Sequence, residues 1–269
     1  MIGVFHFGSV MLYGIAGALL GFSFVRETRQ VPVIACGIIA LGLCLHAIAL
    51  AEYTTEWAQL PLEGLGPSLS TLAFLTGVGL LIAATLGQAS TVGLVLAPVI
   101  AVLTGTAAVV GLVPSGQSLN WFGLHIVFAF IGLVGLTIAF AAGLMYLMQF
   151  RELKGKRFGA VFRFFPPLDT LDRLGQRGLL LGFPFLTLAL MLGLAWMSST
   201  TNPSIPSPAP AKLVWAFMSW VVLLTAIMAR AGGGRRGERG AFVSVVGFLV
   251  VVAVYLIVRA GASQQGVFL

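Results

Sequence analysis

Charge is what this sequence has least of. Only 9% of its 269 residues are Asp, Glu, Lys or Arg, against 59% hydrophobic ones, where soluble domains carry roughly 25% charged residues. A mean hydropathy of +1.04 excludes a soluble globular chain. Cysteine is nearly absent too. Cys36 and Cys44 are eight residues apart, which is neither a CxxC redox pair nor, within one straight helix, a spacing that a disulfide can bridge. There is no Walker loop, no Gly-rich dinucleotide fingerprint, and no HExxH or GxSxG motif, so no conventional enzyme is visible. The glycines of "GGGRRGERG" follow no strand and read as a flexible basic loop.

What is present is long apolar runs. About 20 such residues span the hydrocarbon core as a helix. Eight runs qualify, at about 3–24, 32–52, 68–87, 91–113, 121–149, 177–198, 212–230 and 241–262. Their length excludes an outer-membrane type of barrel. The expected fold is all-α, a polytopic membrane protein forming a single transmembrane domain over 1–269. The first run lacks a basic n-region and a cleavage site and reads as a retained helix. The longest polar gap, 150–176, is too short to bury a core.

The net charge of +7 does not point to nucleic acid, because its distribution is that of a membrane protein. Of the 15 Lys and Arg, 13 fall in three loops that follow the first, fifth and seventh runs: Arg26 and Arg29, seven residues from Arg151 to Arg177, and Arg230, Arg235, Arg236 and Arg239. The positive-inside rule makes these loops cytoplasmic, which places both termini outside. Anionic lipid is their expected neighbour. Glu52, Glu56 and Glu63 then fall in an outer loop, and the spans lack acidic residues, which argues against ion-coupled transport.

Ionisable groups inside spans are costly and therefore informative. His6, His46 and His125 all fall in the outer third of the bilayer on this topology, and no loop contains a histidine. Each alone reads as a satisfied structural group. Together they suit metal or haem iron, since neutral imidazole is a common ligand for both. His46 and His125 are the candidate axial ligands, and His6 is an alternate ligand or a bystander. Lys212 and Arg259, the two cations outside the basic loops, are candidate partners for haem propionates, or snorkel to the interface.

The second half carries a resemblance. In "PPLDTLDRLGQRGLLLGFPFLTLALMLGLAW" (166–196), Leu171, Asp172, Leu174 and Arg177 form a short amphipathic stretch. It runs into Gly182, Phe183, Phe185, Leu186, Thr187 and Gly193. With "KLVWAFMSWVVLLTAIMAR" (Lys212, Trp215, Trp220, Arg230) and "LHIVFAFIGLVGLTIAFAAGLMYLMQFRELK", which His125 opens, this resembles the cytochrome c assembly family of CcsA/HemX/CcmC-like proteins. "PLEGLGPSLSTLAFL" (61–75) is similar to a loop-to-helix join of that family. The resemblance implies a multi-pass protein of the bacterial cytoplasmic (inner) membrane that binds or relays haem b near the outer leaflet, non-enzymatic, with the lipid bilayer, haem and other cytochrome c assembly proteins as partners. It gives His125 a ligand's place.

The tryptophan-rich WWD segment of haem-presenting members is missing. "MSSTTNPSIPSPAPAK" stands there, and Met228 replaces an inner histidine. The shortened set resembles that of HemX-type members, which lack the WWD segment. A regulator or assembly subunit that keeps the fold without binding haem is the alternative, and a small-molecule permease a weaker one.

Overall fold

A computed structural model describes residues 2–26, 31–62, 64–85, 89–113, 121–156, 159–199, 210–231 and 236–263. They form nine helices: α1 (Ile2–Arg26), α2 (Val31–Trp57), α3 (Leu65–Ala83), α4 (Ala89–Val110), α5 (Trp121–Lys154), α6 (Ala160–Phe164), α7 (Leu168–Ser199), α8 (Pro210–Ala231) and α9 (Arg236–Ser263). No strand occurs among the described residues. Within them, seven helices are long and apolar enough to cross a membrane, and Leu213–Ala229 of α8 is a shorter apolar one. The chain is an all-α polytopic membrane protein.

Several expected boundaries shift. Glu52 and Glu56 belong to the last turns of α2, which runs to Trp57, and not to a loop. Polar residues end the hydrocarbon crossing without ending the helix, because the helix satisfies its own backbone wherever it lies. The amphipathic stretch before residue 177 is likewise the start of α7, which begins at Leu168, directly after Pro166 and Pro167. Proline has no N–H to lose at a helix start and its φ is already helical. Asp169 in the first turn pairs with Arg173 one turn on, a favourable sign at that end of the dipole. The short α6 was not expected. The Glu152 carboxylate makes it, accepting the Gly159 N–H at 3.2 Å and the Phe162 N–H at 2.9 Å, two donors that a helix start leaves without partners. Glu63, Arg29, Arg157, Arg235 and most of the Pro/Ser-rich segment lie outside the described residues.

The chain folds as two compact units, Met1–Ser118 with Arg151–Pro167, and Leu119–Phe150 with Leu168–Leu269. In the first, α1 packs on α2 and α4, and α3 on α4. The buried residues of α1 are His6, Ser9, Tyr13, Ala16, Leu20 and Ser23, a stripe at three- and four-residue spacing that is smaller and more polar than the exposed Val4, Phe7, Met11 and Ile15. That is the order expected in lipid, where large apolar groups gain nothing by turning inward and small ones let helices approach. Gly42 serves this purpose against α1: a Cβ there would stand 2.8 Å from Tyr13 Cε1. Between α2 and α3 the chain turns through Gly64 at φ +84. The turn is tied by Ser68 Oγ donating to the Leu62 carbonyl and Thr71 Oγ1 to that of Pro61.

The second unit is cored by Leu136, Ala139, Leu179, Leu186, Leu223, Ala226 and Val251, with Phe183, Trp215 and Trp220 against them. Its α5 and α7 cross backbone to backbone. A Cβ on Gly135 would lie 2.7 Å from Gly182 Cα, and one on Gly182 would lie 2.9 Å from the Gly132 carbonyl oxygen.

Candidate functional site

The three histidines fall into a pair and a single. His6 on α1 and His46 on α2 belong to the first unit. Their Nε2 atoms both reach the Ser70 hydroxyl of α3, at 2.9 Å and 2.8 Å. The ring centroids are 5.2 Å apart and nearly perpendicular. Tyr13, two turns after His6 on the same face of α1, places its hydroxyl 3.2 Å from His46 Nδ1. The Phe74 ring stands edge-on to His46 at 5.6 Å. His46, Ser70 and Tyr13 are fully buried and His6 is 2% exposed. Three helices thus share one continuous line of four hydrogen-bonding side chains in the buried interior. Buried polar groups persist there only when partnered, and here each partner is on another helix.

The Ser70 hydroxyl and Tyr13 carry no distinguishing motif. Tyr13 was legible only as the seventh residue after His6, and Ser70 only as a hydroxyl inside "PLEGLGPSLSTLAFL".

His125 belongs to the second unit, near the start of α5. Its Nδ1 lies 2.6 Å from the Ala189 carbonyl oxygen on α7. A carbonyl only accepts, so Nδ1 carries the proton and Nε2 of the neutral ring is the acceptor nitrogen. Imidazoles that ligate a metal adopt this tautomer, with the second nitrogen donating to a carbonyl or carboxylate. Gly193 makes the approach possible. A Cβ on it would stand 2.9 Å from His125 Cε1 and 3.0 Å from Nδ1. Gly193 sits one turn beyond Ala189, over the path by which the ring reaches that carbonyl.

Neighbouring motif residues tie α8 to α7 and α8 to α9. Trp220 Nε1 donates to Thr187 Oγ1 at 2.9 Å, Thr187 Oγ1 donates to the Phe183 carbonyl at 2.8 Å, and Trp215 Nε1 donates to the Val251 carbonyl at 2.9 Å. Lys212 lies in α8 and Arg259 in α9, but their side chains fall outside the described residues. No cluster of three His, Cys, Asp or Glu side chains occurs among the described residues. Asp169 and Asp172 take part in no such cluster.

The sequence model of the cytochrome c assembly protein family matches residues 4–263. The chain belongs to this family. Among its relatives, the cytochrome c biogenesis protein CcsA of Chlamydomonas reinhardtii is 33% identical over 162 residues, 58% of this chain and 43% of that protein. CcsA of Guillardia theta is 26% identical over 274 residues, covering 91% of this chain and 88% of the relative. CcsA of Gloeothece citriformis is 25% identical over 303 residues, covering 93% and 90%. The family match therefore takes in both units, and with them all three histidines.

Proposed function

We propose that this chain is a membrane haem-handling protein of cytochrome c biogenesis, binding or relaying haem b near the outer leaflet of a bacterial cytoplasmic membrane. Membership of the cytochrome c assembly family supports the process, and the names of the relatives agree with it. The observation that carries haem is His125. Its Nδ1–H is held by the Ala189 carbonyl and its ring rests on Gly193, so the donor chemistry fits an iron ligand. Haem would supply the iron. His125 would offer Nε2 to it, and the Ala189 carbonyl would fix the ring's orientation and raise its basicity. Lys212 and Arg259 are the proposed propionate partners. His46 is a second candidate ligand, and taking its Nε2 to iron means breaking the bond to Ser70.

The reading includes eight spans, the shorter apolar helix of α8 being the eighth, with both termini outside. The role is non-enzymatic, alongside other assembly proteins and the lipid bilayer.

The test is the absorption spectrum of protein purified from haem-replete cells. A Soret band with low-spin reduced α and β bands is expected, lost in His125→Ala. A colourless preparation overturns the reading. A specific observation favours the alternative, a HemX-like regulator that binds no haem: both Nε2 atoms of the first unit are already satisfied by Ser70. A colourless protein that still co-purifies with its partners after all three histidines are replaced would establish it.

A further inference from the structure

Beyond the end of α5 the chain turns back on itself and is clamped to α1, all within the first unit. The Glu152 carboxylate gathers the Gly159 and Phe162 amides. Past them, the Phe164 and Phe165 rings meet Phe24 of α1 at 5.3 Å and 5.9 Å, and Phe165 is buried. The clamp brings Arg26, the last residue of α1, to the end of the unit that carries Arg151, Lys154, Lys156 and Arg163. All five cations are exposed.

These cations have little counter-charge of their own. Glu152 is the one acid in residues 151–167, and its carboxylate is occupied by backbone. Arg26, Arg151, Lys154 and Lys156 make no ion pair or side-chain hydrogen bond among the described residues, whereas Arg173 pairs with Asp169. Lys156 moreover holds φ +51, a left-handed conformation that glycine takes freely and lysine does not. Strain of this kind gathers where a side chain is put to use. The same end also exposes apolar groups, Val25 at 73% and Phe162 at 37%, each next in the chain to one of the cations. Free phosphate would satisfy the cations and leave these two in water. A phospholipid answers both, with phosphate at headgroup depth and acyl chains beneath.

We propose that Arg26, Arg151, Lys154, Lys156 and Arg163 bind the headgroups of anionic phospholipid, with Val25 and Phe162 dipping into the acyl layer beside them. Such binding requires only that the chain sit in a membrane, and no haem. The general attraction of basic loops to an anionic leaflet spreads over every cation of the chain, whereas this surface is confined to five on one clamped turn.

The experiment measures, by native mass spectrometry, the phospholipid retained by the full-length protein in neutral detergent when phosphatidylglycerol or phosphatidylcholine is supplied in equal amounts. Phosphatidylglycerol should be preferred by at least about tenfold. Lys156→Gly removes a cation while relieving the backbone, so the fold is not weakened. It and Lys154→Gln should each lower affinity for phosphatidylglycerol about fivefold. Arg173→Gln, which removes a cation already paired, should lower it less than about twofold. His125→Ala should retain phosphatidylglycerol as the parent does, so a failure of the haem reading leaves this result standing. Equal retention of the two lipids overturns the proposal. So does equal retention of phosphatidylglycerol by the parent, Lys156→Gly and Lys154→Gln, or its full displacement by inorganic phosphate at matched concentration.

Discussion

His125 and Gly193 are in contact such that the glycine's missing side chain is what lets the imidazole reach α7. A methyl group on Gly193 would lie 2.9 Å from Cε1, well inside van der Waals separation, and the 2.6 Å bond from Nδ1 to the Ala189 carbonyl could not persist. Gly193→Ala should therefore abolish the haem spectrum about as fully as His125→Ala does. Gly14→Ala, where a Cβ meets nothing within 4 Å, should leave it intact. A Gly193→Ala protein with an unchanged Soret band would show that the ring's position does not matter.

Gly182 faces α5 with as little room. Its Cβ would meet the Gly132 carbonyl oxygen at 2.9 Å and Gly135 Cα at 3.2 Å, and backbone cannot step aside as a side chain can. Gly182→Val should cost about 1–3 kcal/mol or more by overpacking, read as a lower midpoint of thermal unfolding in detergent. Gly37→Ala, in open space, is the matched control and should raise the midpoint slightly or leave it unchanged.

Ser70 and Ser9 make a contrast. Ser9 Oγ donates to the Phe5 carbonyl of its own helix, whereas Ser70 joins three helices. Ser70→Ala strands two buried imidazole nitrogens and should destabilise the protein by about 1–3 kcal/mol. Ser9→Ala should cost well under that. Equal midpoints for the two variants would remove the case for a cross-helix network.

Glu152 holds α6 through two backbone amides. In Glu152→Ala those donors lose their acceptor, at roughly 1 kcal/mol for a helix cap. Hydrogen exchange at Gly159 and Phe162 should quicken about fivefold, with the amides of α1 unchanged.

Seven of the eight expected runs were readable because each forms a helix as long and apolar as a crossing demands, whereas the run at 212–230 gives only the shorter apolar stretch Leu213–Ala229. The ends of the helices were not readable. Glu52 and Glu56 looked like a loop because charge leaves the hydrocarbon, yet α2 carries them out in helical form to Trp57. Leu171 and Asp172 fell before the expected run at 177–198 because their amphipathic pattern differs from the apolar stretch beyond, though one helix runs through both. At the sites, His125 was legible as a lone imidazole in oil, and Gly193 as part of a motif, but their contact was not, since nothing local couples positions 64 residues or more apart. Ser70 was hidden for another reason. Most hydroxyls here bond back to their own helix, as Thr76 does to Leu72, Thr104 to Ile100 and Thr137 to Leu133. Nothing in the order of residues marks a serine that bridges helices.

That bridge settles a question of parity. Among the described residues Ser70 Oγ has only the two imidazoles as partners, and its single proton must go to one of them, so one imidazole offers it an N–H and the other a lone pair. Among the described residues the Tyr13 phenol has His46 Nδ1 as its one hydrogen-bond partner, and its proton would be stranded unless it points there. His46 therefore bears its hydrogen on Nε2, Ser70 turns its own toward α1, and His6 bears its hydrogen on Nδ1. Two histidines that look alike in the sequence are opposite tautomers, with all four groups oriented in one direction from Tyr13 to His6.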